Sequence, residues 1–156
     1  MTTEQWRARV AGPDDSDDVA RLLHDFNTEF DAPSPGSAIL ATRLRDLFAG
    51  EDTFAVLVGE PAVGVGLVTT RPNVWYEGLV ALLDELYIAP GTRGQGAGSA
   101  LLELLVETCR QRGVDLVEIN VDEDDVDAQR FYRRHGFSST EPDSEERAFY
   151  FRMELN

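Results

Sequence analysis

One cysteine and two histidines in 156 residues leave little material for disulfide or metal chemistry. Cys109 has no second thiol to pair with, and together with His24 and His135 it forms no ligand cluster spaced for zinc, so no metal is expected. Long apolar runs are also missing: none reaches the roughly 20 residues a membrane helix needs. The opening Met1-Thr2-Thr3-Glu4-Gln5-Trp6 lacks the basic start and apolar stretch of a secretory signal, which gives a cytoplasmic expectation. Positive charge is scarce, with 14 basic against 29 acidic residues and a net charge of −15. Such a surface repels phosphate at long range, so nucleic acid and anionic membrane are excluded as broad partners and a cationic small molecule is favoured.

What is present fits one domain spanning residues 1–156, with an apolar share of 42%. Arg7 to Val10 alternates briefly like a strand, and Gly12-Pro13-Asp14-Asp15 breaks it and opens a helix. Val19, Leu22, Leu23, Phe26 and Phe30 recur at helical spacing, leaving His24 on the opposite, solvated side. After Pro33-Ser34-Pro35-Gly36, the residues Leu40, Leu44, Leu47 and Phe48 mark a second helix that Gly50 ends. Phe54–Val58 and Val63–Thr69 read as a hairpin whose Gly64 and Gly66 signal a close approach to the backbone. Leu79–Ile88 reads as a central strand, Gly96–Arg112 as an amphipathic helix and Leu116–Val121 as a strand. A helix over Val126–His135 and an alternating strand over Ala148–Leu155 complete the order β-α-α-β-β-β-α-β-α-β, an α+β domain with helices packed on one sheet.

The richest stretch is Tyr87-Ile88-Ala89-Pro90-Gly91-Thr92-Arg93-Gly94-Gln95-Gly96-Ala97-Gly98-Ser99, between the buried strand and the amphipathic helix. A strand, a glycine loop and a helix start expose unpaired N–H groups at the positive end of the helix dipole, which is a cradle for an anion. The dinucleotide fingerprint fails, since its last glycine falls on Ser99 or Leu101, and no Gly-Lys-Ser/Thr completes a P-loop. Arg93-Gly94-Gln95-Gly96-Ala97-Gly98 does fit Arg/Gln-x-x-Gly-x-Gly/Ala, and Asp125-Val126-Asp127-Ala128-Gln129-Arg130-Phe131-Tyr132 followed by Gly136-Phe137 follows in order.

These two segments resemble the paired coenzyme motifs of the Gcn5-related N-acetyltransferases (GNAT). The likeness is tight from Asp84 to Phe137 and departs only at Asp125, where the family carries asparagine. It implies a GNAT-like fold with a mixed, mostly antiparallel sheet of about six to seven strands and four helices. Its central strands would splay to admit acetyl-coenzyme A. It further implies that Leu86, Tyr87 and Ile88 line the pantetheine arm and that Arg93, Gly94, Gln95, Gly96, Ala97, Gly98 and Ser99 hold the pyrophosphate. Asp125, Ala128, Phe131, Tyr132 and Arg134 would complete the coenzyme site. Asp125 cannot donate the hydrogen bonds of an asparagine amide.

The implied reaction moves acetyl from acetyl-coenzyme A to a primary amine, expected to be small and cationic. Resemblance places Tyr132 beside the sulfur as general acid. Asp84 and Glu85 are the candidate bases, with Glu118 a third; alternation lets only one of the adjacent pair reach the cleft. Cys109 lies on a buried helix face, so direct transfer in a ternary complex is expected rather than an acetyl-enzyme. The first two helices, their connection and Trp75-Tyr76-Glu77 should frame the acceptor, where Asp25, Glu29 or Asp31 are available to pair with a cation. A protein lysine or N-terminal acetyltransferase, a non-catalytic acyl-coenzyme A sensor, a nucleotide-binding regulator and a homodimer stay open.

Overall fold

The computed structural model describes residues 6–156, which divide into two compact units, residues 6–119 and 120–156. The first five residues, read above for a secretion signal, lie outside the described residues. In the first unit, β1 (Ala8–Val10), β2 (Thr53–Val58), β3 (Gly64–Arg71), β4 (Leu79–Ile88) and β5 (Val114–Ile119) form one sheet in that order. Neighbours are antiparallel from β1 to β4, whereas β4 and β5 run parallel. A parallel neighbour needs a crossover, supplied here by α3 (Ala97–Gln111). Helices α1 (Ser16–Glu29) and α2 (Ser37–Ala49) come between β1 and β2.

The break before α1 is a 3-10 turn over Pro13–Asp15, fixed by one side chain. The Asp15 carboxylate accepts the Gly12 N–H at 2.8 Å and hydrogen bonds from Arg9 Nη1 and Nη2, each at 2.8 Å. Those bonds, the Arg9 pair above all, hold the Asp15 pKa below its ordinary value. On α1 the helical stripe turns inward as its spacing requires: Val19 and Leu22 are fully buried, Leu23 and Phe26 partly so. Phe30, expected on that stripe, falls at the helix cap and is 59% exposed. His24, expected on a solvated side, is half-buried and lies 2.8 Å from the Ser34 hydroxyl in the α1–α2 connection.

Strand alternation separates the two faces of the sheet. Ala55, Leu57, Val65 and Tyr87 join α1 and α2 in one core cluster, with Leu67 packed against it. Gly66, between Val65 and Leu67, faces α3 instead; a Cβ there would lie 2.7 Å from a Leu105 methyl and 2.9 Å from one of Leu101. The close approach signalled by this glycine is therefore the helix itself. Each fully buried leucine of this core contributes roughly 2–3 kcal/mol.

In the second unit, α4 (Val126–Arg134) starts at Asp125, whose carboxylate accepts the Ala128 N–H at 3.0 Å. Gly136, at φ +93°, takes the left-handed conformation just past its end. The strand expected over Ala148–Leu155 does not form: those residues join no ladder, and Phe149, Tyr150, Phe151, Met153 and Leu155 are exposed. Alternation gives a segment one apolar face, but a strand exists only where a neighbour accepts its hydrogen bonds. The described sheet accordingly has five strands, fewer than the six to seven expected, within the expected α+β architecture of four helices.

Candidate active site

The central feature is the end of β4. Pairing with β5 stops at Leu83 opposite Ile119, while pairing with β3 continues to Ile88 opposite Gly64. The ladder alternation fixes which way the freed backbone points. Ala11 N–H to Ala55 O and Gly59 N–H to Arg7 O turn the odd residues of β2 toward β1. Carried across β3 by the register, this turns Tyr87 toward β3 and Leu86 and Ile88 away from it. Ala89 N–H donating to Val63 O agrees. Leu86 and Ile88 thus direct their N–H and C=O groups into the gap, where no described strand meets them.

A β-bulge creates a second feature. Leu67 and Val68 are consecutive on β3, yet their partners are Glu85 and Leu83, so Asp84 is the additional residue. The bulge breaks the alternation and places Asp84 and Glu85 on the same face, that of Tyr87, α1 and α2. Two observations agree: the Thr69 hydroxyl donates to Asp84 Oδ2 at 2.5 Å, and the Asp84 charge acts on Glu85. The strict alternation expected across this pair is therefore broken, and both carboxylates lie on one face. Burial, and secondarily the Asp84 charge, raises the Glu85 pKa above the ordinary carboxylate range. Asp84 is exposed, and Glu118 is exposed with its nearest cation, Arg71, at 4.0 Å.

Past β4, a 3-10 turn over Pro90–Thr92 leads into the glycine loop. Gly94 and Gly96 have φ of +74° and +93°, a conformation that favours glycine, and a Cβ on Gly94 would meet nothing within 4 Å. The N–H groups of Gly94, Gln95, Gly96, Ala97 and Gly98 make no hydrogen bond among the described residues, and Gly96 caps α3 without a side-chain bond. Five donors at a helix N-terminus, with open space over Gly94, suit a phosphate group. The Trp6 indole N–H braces the loop by donating to Gln95 O at 2.9 Å. An isolated tryptophan in a polar stretch gives no sequence signal of that contact.

In the second unit, Tyr132 is buried and its ring packs edge-on against Phe131 at 5.2 Å and Phe137 at 5.5 Å. Burial, then the Asp125 charge, raises its phenol pKa, so the hydroxyl keeps its proton at neutral pH. Arg134 lies over the Phe131 ring at 5.6 Å. Cys109 is buried in α3 and its thiol is pushed up to about 11 by burial, which suits a core residue and not a nucleophile. Among the acceptor candidates, Trp75 is 88% exposed in a turn built on Asn73, whose Oδ1 accepts the N–H groups of Trp75 and Tyr76. Among the described residues no group of three or more His, Cys, Asp or Glu is arranged for a metal ion, and no helix is long and apolar enough to cross a membrane.

A sheet parted beside a loop whose N–H groups find no partner among the described residues marks a class of α+β domain suited to an extended ligand that ends in phosphate. The chain is an acetyltransferase of that class: it belongs to the Acetyltransferase (GNAT) family, whose model matches residues 17–137. It is 40% identical over 134 residues to the aminoalkylphosphonate N-acetyltransferase of Salmonella typhimurium, covering 78% of this chain and 87% of that one. An uncharacterized N-acetyltransferase of Methanocaldococcus jannaschii is 35% identical over 97 residues, and the match spans only 41% of that protein. Among solved structures, a protein of Arthrobacter sp. FB24 described as an acetyltransferase superposes with a TM-score of 0.89 at 53% identity, covering 96% of both chains. An aminoglycoside acetyltransferase from an uncultured soil sample, at 18% identity and a TM-score of 0.79 over 97% of both chains, shares the fold.

Proposed function

We propose that this chain transfers acetyl from acetyl-coenzyme A directly to a small cationic primary amine, both substrates being bound before chemistry. The observation that carries the reading is the gap between β4 and β5, where the Leu86 backbone groups and the Ile88 N–H meet no described strand, followed along the chain by N–H groups from Gly94 to Gly98 that find no partner among the described residues. Acetyl-coenzyme A supplies the activated thioester. Leu86 and Ile88 hold its pantetheine arm by backbone hydrogen bonds, and the loop from Arg93 to Ser99 holds its pyrophosphate. An N–H in the gap, that of Ile88 foremost, polarises the thioester carbonyl.

Glu85 acts as base on the acceptor ammonium, because a carboxylate with a raised pKa is matched to that proton better than exposed Asp84. The amine nitrogen then forms a bond to the carbonyl carbon, and the carbon–sulfur bond breaks. Tyr132 donates its phenol hydrogen to the departing sulfur and takes the surplus proton of the acylated nitrogen in return, so that amide and free thiol form and Glu85 is left holding the one proton released to solvent. Ala128, Phe131 and Arg134 border the coenzyme, while Asp125 serves chiefly as the α4 cap, its carboxylate already engaged by Ala128 N–H.

Thiol release, followed with acetyl-coenzyme A and a panel of amines, tests the reading. The panel holds a polyamine, an aminoalkylphosphonate, an aminoglycoside and a lysine peptide. All 14 basic residues of the chain are arginine, so lysine self-acetylation adds no background. Amine-dependent release, fastest with a small cationic amine, is expected. Coenzyme binding without release under any amine overturns catalysis in favour of a sensor, and release only with the peptide moves the acceptor to protein.

A further inference from the structure

Glu29 closes α1, and its carboxylate meets Arg93, 64 positions downstream at the start of the glycine loop. Arg93 Nη2 lies 2.9 Å from Glu29 Oε1 and 2.8 Å from Oε2. Arg93 Nε donates to Ile88 O at 2.8 Å, at the mouth of the gap. The Tyr87 hydroxyl donates to Glu29 Oε1 at 3.1 Å, and the guanidinium lies 5.6 Å from the Tyr87 ring centroid. Tyr87 is 5% exposed and stacks on Phe26 at 5.0 Å, so the buried base of this assembly is rigid. Glu29, first grouped with Asp25 and Asp31 as a partner for a cationic acceptor, is thus already engaged.

A guanidinium carries five N–H donors in one plane. Nε and Nη2 share one edge of that plane, and Ile88 O and Glu29 occupy it. Both Nη1 donors are without a partner among the described residues. We propose that Glu29 is a positioning residue for coenzyme binding, which fixes one edge of Arg93 so that the Nη1 donors stand ready for the coenzyme's pyrophosphate. The inference rests on the acetyl-coenzyme A reading above. Arginine has a large rotamer freedom, and ordering it before the ligand arrives removes that loss from the binding step. The Glu29 carboxylate also repels a phosphate held on Nη1, which lies within the screening length of about 8 Å, and this repulsion opposes the gain from ordering Arg93.

The test is a double-mutant cycle read by calorimetric titration of coenzyme A at physiological salt, with no turnover required. Glu29→Ala should weaken binding about three- to tenfold, the ordering of one long side chain. Glu29→Gln, which keeps an acceptor for Nη2, should recover part of the loss. In an Arg93→Ala background the Glu29→Ala effect should vanish, because Glu29 acts through Arg93. An undiminished effect in that background means a general structural role and overturns the inference. Tighter binding by Glu29→Ala overturns it in the other direction, making the pair a latch against the coenzyme. Failure of the parent chain to bind coenzyme A overturns the acetyl-coenzyme A reading itself, whereas parent binding with no coupling removes only the role of Glu29.

Discussion

Glu85 and Tyr132 share one effect: burial raises the pKa of both, which makes the carboxylate a better base and keeps the phenol protonated, with a hydrogen to offer the departing sulfur. A base works in its ionised form, so kcat/KM for the amine should fall as pH drops through the Glu85 pKa, which lies above the ordinary glutamate value of about 4.3. Glu85→Gln should abolish that acid limb and reduce kcat on the order of 10²- to 10⁴-fold, whereas Asp84→Asn, which removes a raising charge, should move the limb to lower pH. Persistence of the limb in Glu85→Gln would assign it to another group. Linkage gives the matching sign for folding: the folded chain holds the Glu85 proton more tightly, so its contribution favours folding below the unfolded pKa and is lost as pH rises through the folded one. For Tyr132→Phe, coenzyme binding should survive, since the ring packing is kept, while single-turnover transfer slows about 10²- to 10⁴-fold. Equal single-turnover rates for Tyr132→Phe and parent would make Tyr132 a packing residue only.

Among the elements, α3 does two tasks, covering one face of the sheet with Leu101 and Leu105 and adding its first N–H groups to those of the glycine loop. Its depth on the sheet is set at Gly66. Gly66→Ala brings a Cβ to 2.7 Å and 2.9 Å from those leucine methyls, and the overpacking should cost about 1–3 kcal/mol in denaturant unfolding. Because lifting α3 also lifts the cradle, coenzyme affinity should drop with it. Gly91→Ala is the matched control, since a Cβ there meets nothing within 4 Å and no left-handed φ is involved. Equal stability of the two variants would mean that the leucines yield freely and that Gly66 does not set the helix depth. The bulge at Asp84 is the corresponding device in β4: one additional residue turns two neighbouring carboxylates to the same face.

Taken as a whole, the molecule carries a net charge of −15, which acts on substrates before any contact is made. A cationic acceptor should therefore show a KM that rises with ionic strength, more steeply for a diamine than for a monoamine. An aminoalkylphosphonate, with an anionic group beside its amine, should show little rise or the reverse. A salt-insensitive KM for both amines would sink the cationic acceptor and leave the transferase reading in place.

The sequence by itself determined what depends on neighbours a few positions apart. The spacing of Val19 and Leu22, the unbroken run from Leu79 to Ile88 and the glycines around Arg93 sufficed for α1, β4 and the left-handed turns of the loop before α3, because helix stripes, buried strands and loop chirality are local properties. Only the tertiary structure decided the rest. The placement of Asp84 beside Glu85 follows from the register between β3 and β4, which no run of β4 residues encodes. The Glu29–Arg93 and Trp6–Gln95 contacts span 64 and 89 positions and arise once α1 and the N-terminal strand pack on the sheet. Ala148–Leu155 has the alternation of a strand without a ladder, since backbone hydrogen bonds need a partner that local pattern cannot supply.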